Sequence, residues 1–342
     1  MSQRENVNPR REQNHRKNSR RYQKRAAARR RRNTIFIMEI VLLLILAVVL
    51  FFMSKLSKIE KTKLDMDKIE VNEDISQESR KIMKGYQTIA MFGLDNRSNG
   101  NLSQGRSDVI MLANINNDTK EVKLVSVYRD TYLDTGDGIF QKCNAAYAKG
   151  GPEQAISMLN VNLDLNITDY VTVDFNSIIE CVDLLGGVDM EITDDEASLM
   201  TGYIRELNEL TGNKAENLTQ GGTYTLNGVQ ACAYARIRYG GGDDYRRTER
   251  QRTVLTAMVK KAQQSDLTTV NKLINEVCGD IQTSFSNAEL LALASQVFQY
   301  SIGDTTGFPF TKTTRVLSKK TGDVVIPVKR EKKSENRQMN LF

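Results

Sequence analysis

Short runs of alternating apolar and polar residues are interleaved along this chain with segments where apolar residues recur every three or four positions. The first pattern is typical of strands and the second of helices. Five strands are predicted, at residues 86–93, 108–115, 121–127, 170–175 and 188–192. Seven helices are predicted, at residues 152–159, 176–185, 194–211, 227–235, 246–263, 266–278 and 287–299. A hairpin is expected over 312–329 around Gly322, and helix 194–211 is expected to cover a groove. Strands alternating with helices predict one α/β domain, an α-β-α arrangement around a mixed central sheet.

Residues 34–53 form a separate apolar segment in which Glu39 is the only charged residue. As a helix, these twenty positions would span ~30 Å, the thickness of a bilayer core. A cleaved signal peptide is the alternative, but no small-residue cleavage site follows the segment. We therefore predict one uncleaved transmembrane helix.

The segment before this helix is strongly basic. Residues 1–32 carry thirteen Lys and Arg against Glu5 and Glu12, a net charge of +11, so the remaining residues carry −5 of the overall +6. Such a tail could bind nucleic acid, but beside a membrane helix it more often sets topology, and basic flanks stay cytoplasmic. The prediction is a single-pass type II protein of the cell membrane with an extracytoplasmic domain and no nucleic-acid partner. The predicted divisions are a cytoplasmic tail 1–33, a membrane helix 34–53, a stem 54–85, a catalytic domain 86–300, and a C-terminal hairpin and charged tail 301–342.

Composition excludes several kinds of chemistry. His15 is the only histidine and lies in the basic tail, which excludes Ser-His-Asp catalysis and zinc sites built on imidazole elsewhere in the chain. The four cysteines, Cys143, Cys181, Cys232 and Cys278, show no CxxC spacing, so neither a metal cluster nor a catalytic thiol is predicted. The domain must work with carboxylates, arginines, hydroxyls and a hard metal ion.

An arginine-rich block provides the strongest chemical signal, with six arginines in positions 236–252 around Gly240-Gly241-Gly242. On an extended segment, Arg236 and Arg238 would point to the same side. On a helix capped by Asp244, one face would carry Arg247, Arg250 and Gln251. Converging guanidinium groups at a helix N-terminus favour a phosphate or pyrophosphate. The alternative is a solvated basic face.

Seven motifs in a fixed order give the chain a resemblance to a known family. They are Phe92-Gly-Leu-Asp95-Asn-Arg97, Gly105-Arg106-Ser-Asp108, Ser126-Val-Tyr-Arg129-Asp130-Thr131, Asn144-Ala-Ala-Tyr147 through Pro152, Val173-Asp174-Phe175, Leu185-Gly-Gly-Val-Asp189 and Leu226-Asn-Gly-Val-Gln-Ala231, followed by the arginine block. Together they resemble the LytR-CpsA-Psr family of bacterial envelope proteins over residues 86–258. The chain departs from the family pattern at Leu94-Asp95-Asn96 and at Cys143, neither of which alters the charged set.

The resemblance implies a magnesium-dependent phosphotransferase. Such proteins pass a glycopolymer from a polyprenyl-pyrophosphate lipid to a peptidoglycan sugar hydroxyl, as a phosphodiester, with apolar residues enclosing the lipid tail. By this resemblance, Asp95 and Asp108 would hold Mg2+. The residues implied to bind the pyrophosphate are Arg106, Arg129, Arg236, Arg238, Arg247 and Gln251. The catalytic set would comprise Asp108, Asp130, Arg129 and Arg238.

The residues themselves leave alternatives open. Carboxylates beside strands suit magnesium, but Asp95 and Asp108 could equally pair with Arg97 or Arg106. Either Asp108 or Asp130 could accept the proton of the attacking hydroxyl, and Asp130 could instead form a structural ion pair with Arg129. Tyr147 and Tyr245 could contact lipid or sugar, although core packing suits Tyr147 better. Competing functions are a hydrolase of the same lipid, a membrane-bound regulator, and a scaffold without chemistry.

Overall fold

A seven-stranded mixed sheet lies at the centre of the computed structural model of this protein. The structure describes residues 60–61, 64–94, 102, 105–238, 243–266, 269, 272–273, 281–319 and 321–328. The strands are β1 (Glu60–Lys61), β2 (Tyr86–Leu94), β3 (Ser107–Asn116), β4 (Glu121–Val127), β5 (Tyr132–Asp134), β6 (Phe140–Lys142), β7 (Asp169–Asp174), β8 (Val188–Ile192), β9 (Gly222–Leu226), β10 (Ile281–Thr283), β11 (Ser301–Phe308), β12 (Lys312–Ser318) and β13 (Gly322–Pro327). The helices are α1 (Gln77–Met83), α2 (Ala145–Leu163), α3 (Phe175–Leu184), α4 (Asp194–Thr211), α5 (Gly228–Arg236), α6 (Asp243–Gln264) and α7 (Asn287–Ser295).

The directions of the strands bring several carboxyl ends together at one edge of the sheet. The order is β1-β10-β7-β2-β3-β4-β11, with β2 parallel to β7, β4 parallel to β11, and β3 antiparallel to both β2 and β4. Strands β2, β4, β7 and β11 therefore run in one direction, and their carboxyl ends meet at the edge where β3 begins. We call this the carboxyl edge. In open α/β sheets, ligands bind at such an edge.

Both faces of the sheet are covered by helices, as predicted for an α-β-α fold. Even-numbered residues of β2, such as Phe92, pack with Ile156 and Leu159 of α2 in one core. Odd-numbered residues such as Ile89 point to the other face, whose core includes Leu255 of α6. Alternation along the strands thus serves two separate cores, and the mixed sheet inferred from the sequence is confirmed.

Helices α3, α4 and α5 form a further core with the β8–β9 hairpin. Helix α4 begins and ends where the sequence predicts, with a capping box between Thr193 and Glu196. Its apolar stripe, which includes Met200 and Ile204, is buried in this core, and its expected role as the cover of a groove stays a prediction. A helix with its apolar stripe buried in this way stabilises the fold.

Other predicted segments differ from the structure or lie outside its described part. The hairpin around Gly322 is confirmed as β12–β13, and β11 extends the central sheet beyond residue 300. Within the predicted stem 54–85, Ile69 is buried in the α2 core. The tail 1–33, the membrane helix 34–53 and most of helix 266–278 lie outside the described residues. Among the described helices, none has the length and apolarity needed to cross a membrane.

Candidate functional site

Two residues far apart in sequence meet at the carboxyl edge. Asp108 is the second residue of β3, and Arg129 follows the end of β4 by two positions. Because these strands are antiparallel, the start of β3 lies beside the end of β4. Arg129 Nη1 therefore lies 2.9 Å from Asp108 Oδ1. The pairing of β3 with β4 therefore holds the Arg129 guanidinium and the Asp108 carboxylate together at the carboxyl edge.

The first turns of α6 add a second arginine and a second carboxylate. Arg247 Nη2 lies 2.6 Å from Asp244 Oδ1 and donates to the backbone oxygen of Asp108 at 3.4 Å. Asp244 Oδ1 is also 3.7 Å from Arg129 Nε. Asp244 therefore bridges the arginine that follows β4 and the arginine of α6.

Asp130 lies on the outer side of this group. Its carboxylate is 2.8 Å from Lys142 Nζ and 3.5 Å from Arg129 Nε. Its backbone oxygen accepts a hydrogen bond from Val325 N in β13 at 2.9 Å. The C-terminal hairpin thus holds the loop that carries Arg129. We refer to Asp108, Arg129, Asp130, Asp244 and Arg247 as the carboxyl-edge cluster.

Burial governs the ionisation of the cluster. Burial raises the pKa of Asp244, opposed by the charge of Arg247 and reinforced by that of Asp130. Burial lowers the pKa of Arg247 to about 10, opposed by Asp244. Burial also lowers the pKa of Arg129, but Asp108, Asp130 and Asp244 outweigh it and the net shift is upward. Both arginines are therefore cationic at neutral pH.

Several buried polar atoms of this region have no hydrogen-bond partner. They are Arg129 Nε, Arg247 Nε, Asp244 Oδ2 and Gln251 Oε1. Buried polar groups in proteins are nearly always paired, so such a concentration requires an explanation. The two guanidinium N–H groups suit an anion, and the two oxygens suit a cation or a hydroxyl donor. An oxyanion would satisfy the two N–H donors.

The structure corrects three details predicted for the arginine block. Arg236 is the last residue of α5, not part of an extended segment, because an Asn227 capping box starts a helix that continues to this position. Asp244 lies inside α6, which begins at Asp243, and so is not its N-cap. Arg250 does not accompany Arg247, because its Nε binds Glu196 Oε1 at 3.0 Å on the α4 side.

The remaining predicted site residues are distributed around the same edge. Arg238 is half-buried. Its positive charge opposes the upward shift in the pKa of Asp244 and adds to the downward shift in the pKa of Arg247. Arg236 lies over the ring of Phe175, which follows β7, and its Nη2 binds Glu206 Oε1 at 3.2 Å. Arg106 is exposed just before β3. Asp95 lies outside the described residues.

An aromatic group flanks the cluster. The rings of Tyr128 and Tyr245 meet edge to face at 4.6 Å. Lys312 Nζ lies 4.5 Å from the first ring centroid and 4.1 Å from the second. Lys142 and Lys312 were not predicted from the sequence, because their positions beside the cluster depend on tertiary packing. Tyr147, by contrast, is fully buried in the α2 core, as its surroundings predicted.

The donor set at the edge is compatible with a hard metal ion. Within the described residues, no group of three or more His, Cys, Asp or Glu side chains could hold a metal. Asp108 and Asp244 nevertheless provide carboxylate oxygens, one of them buried and unpartnered. Magnesium prefers oxygen ligands and keeps several waters, so a few carboxylates beside a phosphate suffice.

The described cysteines are buried or half-buried, and Cys278 lies outside the described residues. Cys143 lies beside the cluster, where its Sγ donates to the backbone oxygens of Tyr128 and Arg129 at 3.2 Å and 3.3 Å. Burial raises the pKa of Cys181 to about 11 and raises that of Cys143 as well. Thiols of this kind are poor nucleophiles at neutral pH.

Comparison with known proteins agrees with this architecture. The model of the LytR_cpsA_psr family matches residues 46–332. A relative in Enterococcus faecalis, the polyisoprenyl-teichoic acid–peptidoglycan teichoic acid transferase TagU, is 30% identical over 210 residues, which are 60% of this chain and 64% of the relative. The chain thus matches somewhat less than two thirds of that relative.

Two solved structures share the fold. The crystal structure of Bacillus subtilis TagV superposes with a TM-score of 0.56 at 25% identity, covering 72% of this chain and 92% of that one. The structure of the family protein YwtF (TagT), with bound octaprenyl pyrophosphate lipid, superposes with a TM-score of 0.52 at 21% identity, covering 71% and 84%. The chain belongs to the LytR_cpsA_psr family.

Proposed function

We propose that this protein transfers a glycopolymer from a polyprenyl-pyrophosphate carrier to a hydroxyl of peptidoglycan, forming a phosphodiester. The observation that carries the proposal is the carboxyl-edge cluster, where the buried Nε–H groups of Arg129 and Arg247 have no hydrogen-bond partner. Arg129 Nε has carboxylates only at ion-pair distances of 3.5 Å and 3.7 Å. An oxyanion with several phosphate oxygens satisfies these donors. The transferase name of the E. faecalis relative and the lipid bound in the YwtF (TagT) structure support the same ligand class.

Positioning and charge neutralisation account for the chemistry. Phosphoryl transfer requires little covalent participation by the protein, but it develops charge on the phosphate oxygens. Arg129 and Arg247, with Arg238 beside them, would hold the pyrophosphate and stabilise this charge. Asp108 and Asp244 orient these guanidinium groups through the ion pairs described above. Arg106, Arg236 and Gln251 would extend the contacts around the phosphates.

A magnesium ion is part of the proposal. Asp108, together with Asp95, would hold it. When bound, it would neutralise charge on the pyrophosphate oxygens alongside the arginines. Asp244 Oδ2, which is buried and unpartnered, offers a further oxygen at the same edge.

The attacking hydroxyl must also lose a proton. Asp130 contacts two cations, Lys142 and Arg129, and its backbone oxygen accepts a hydrogen bond from Val325 N. Asp108 contacts Arg129 and would also hold the metal ion. We therefore propose that either Asp108 or Asp130 accepts the proton, and that Asp130 also braces the loop that carries Arg129.

The predicted topology places this chemistry outside the cell. The basic tail 1–33 and the apolar segment 34–53 would anchor the domain to the outer face of the cell membrane. A polyprenyl carrier is confined to that membrane, so the anchor would keep the site near its donor.

The test is a transfer assay with the full chain in lipid nanodiscs. The donor is a polyprenyl-pyrophosphate-linked oligosaccharide and the acceptor is a peptidoglycan oligomer, assayed with magnesium and with EDTA. We expect acceptor-dependent, magnesium-dependent joining that falls ~30- to 1000-fold in Arg238→Ala. Release of lipid phosphate without acceptor would instead establish a hydrolase, and binding without turnover would establish a scaffold.

A further inference from the structure

A cavity lies between α6 and β11, away from the carboxyl-edge cluster. Its volume is about 420 Å³. Six of its lining residues carry the argument, namely Arg252, Thr256, Lys260 and Lys261 of α6, Thr305 of β11, and Asp189 of β8. It borders the stretch where the pairing of β11 with β4 shifts register, between Ile302 and Thr305. The cavity thus lies where the sheet edge is irregular.

Arg252 is the unusual residue of this cavity. It is only 7% exposed, and its Nη1 donates to Ser126 Oγ at 2.8 Å, while its Nε has no partner. The other two buried arginines of α6, Arg247 and Arg250, each have a carboxylate partner. Among the described residues, no carboxylate forms an ion-pair contact with Arg252, and Glu249, an exposed residue of α6, acts on it only through its charge.

A buried guanidinium without a counter-ion is unfavourable, because charges taken out of water need a partner of opposite sign. Burial accordingly lowers the pKa of Arg252. Since an arginine remains charged, the favourable solution is an anion supplied from outside. The position of Arg252 on the wall of a cavity gives that anion a place to bind.

The rest of the cavity wall provides further polar groups in a row. Arg252, Thr256 and Lys260 recur every four residues and so share one face of α6 over ~12 Å. Lys260 is exposed, and Lys261 Nζ lies 3.3 Å from Asp189 Oδ2 at the β8 end. Hydroxyls and ammonium groups at this spacing match a saccharide that bears an acidic group. A polymer with a negative charge on every unit would bring one of those charges close to the carboxylate of Asp189, which would repel it.

We propose that the cavity between α6 and β11 binds a saccharide that carries a short acidic peptide, with Arg252 holding a peptide carboxylate and the row to Lys260 contacting the sugar to which the peptide is attached. Arg252 follows Arg247 by five residues, ~7.5 Å along the helix axis and ~140° around it, so the cavity and the carboxyl-edge cluster lie on different faces of α6. Identifying the ligand as the peptidoglycan acceptor rests on the proposed function. The binding of such a saccharide does not.

The test is calorimetric titration of the full chain in detergent with three probes. These are a peptidoglycan disaccharide-tripeptide, the uncharged oligomer chitotetraose, and a glycerol phosphate oligomer. We expect the disaccharide-tripeptide to bind at least about tenfold more tightly than chitotetraose. Preference for the glycerol phosphate oligomer, or equal binding of the charged and uncharged saccharides, would overturn the proposal.

Substitutions in the cavity wall test whether the disaccharide-tripeptide binds there. Arg252→Met keeps the side-chain volume and should weaken binding of the disaccharide-tripeptide at least about tenfold. Lys260→Ala should weaken it about two- to fivefold, and Lys81→Ala, an exposed lysine of α1, should not change it. Thr253→Trp, at an exposed position of the cavity wall, should block binding even if Arg252→Met fails to fold. Full affinity in Thr253→Trp would contradict the proposal.

One further comparison separates the two proposals. Binding of octaprenyl pyrophosphate by Arg252→Met should equal that of the wild type, because the cavity is separate from the cluster. If the disaccharide-tripeptide binds as expected but no transfer is catalysed, the proposed function fails and the saccharide site stands. If transfer occurs and Arg252→Met leaves both binding and transfer unchanged, the saccharide site fails alone.

Discussion

Arg129 and Asp108 form an ion pair of 2.9 Å between residues 21 positions apart, one past the end of β4 and the other at the start of β3. Asp108 lies on β3 and Arg129 in the turn directly after β4, so the pairing of these two central strands brings the two residues together. The pair therefore presents a guanidinium of fixed orientation at the carboxyl edge. A preorganised charge of this kind is effective in stabilising a charged transition state.

A double-mutant cycle on this pair tests whether the two side chains act as one unit. We expect Arg129→Met and Asp108→Asn each to lower the transfer rate ~30- to 1000-fold. The double variant should lose much less than the product of the two losses, because residues that act together are not additive. Losses that multiply would show independent roles, and an unchanged rate in either single variant would exclude that residue from the site.

The ionisation of Asp244 gives a prediction about stability and pH. Burial raises the pKa of Asp244 in the folded state. Its favourable contribution to the free energy of unfolding is fully present below the unfolded-state pKa of about 3.9 and is lost as pH rises through the folded-state pKa. The side chain at position 244 cannot titrate in Asp244→Asn, so only the wild type loses this contribution as pH rises. The Tm difference, variant minus wild type, should therefore be larger at pH 7 than at pH 3.5.

Thermal unfolding of both proteins at the two pH values checks this directly. The opposite trend, with the variant losing Tm relative to the wild type as pH rises, would mean that the ion pairs of Asp244 with Arg247 and Arg129 outweigh burial. Asp137→Asn is a useful control, because hydrogen bonding by Lys149 and Thr135 lowers the pKa of that carboxyl. Its Tm difference should change with pH in the opposite direction.

Gly228, the first residue of α5, is a position where an added side chain should lower the stability of the fold. A Cβ atom at this position would overlap the backbone oxygen of Ile179 in α3. Gly228→Ala should therefore lower the free energy of unfolding by about 1–3 kcal/mol, measured by urea titration. Gly202→Ala in α4, where a Cβ meets nothing within 4 Å, should raise it by up to about 1 kcal/mol. Equal effects at the two glycines would contradict the close packing of α5 on α3.

Regular periodicity explains which elements were predictable. Helix α4 and strand β4 occur with the boundaries expected from the sequence, because each buries one continuous set of side chains. Strands β5, β6 and β10 have three residues each, too few for alternation to be recognised. Strand β11 is mostly polar and depends on pairing with β4, a contact that sequence periodicity does not encode.

The site was predictable by residue type but not by geometry. The sequence identified Arg129, Arg247 and Asp108 as site residues, and the structure brings them together. It placed Arg236 and Arg238 on one side of an extended segment by side-chain alternation, whereas the capping box at Asn227 starts a helix that ends at Arg236. Asp244, expected as a helix cap, lies within α6 and bridges Arg129 and Arg247. Tertiary packing decides such contacts, and one sequence does not reveal it.

The two buried arginines of α6 allow the most direct test of the central claim. Arg247 belongs to the carboxyl-edge cluster, whereas Arg250 binds Glu196 of α4 and packs over Tyr234 of α5. Equilibrium binding of octaprenyl pyrophosphate should be measured for the wild type, Arg247→Met and Arg250→Met, with Tm recorded for each. The account predicts at least about tenfold weaker binding for Arg247→Met, and for Arg250→Met a lower Tm with affinity within about twofold of the wild type. Unchanged affinity in Arg247→Met, or equal losses in the two variants, would contradict the assignment of the cluster as the pyrophosphate site.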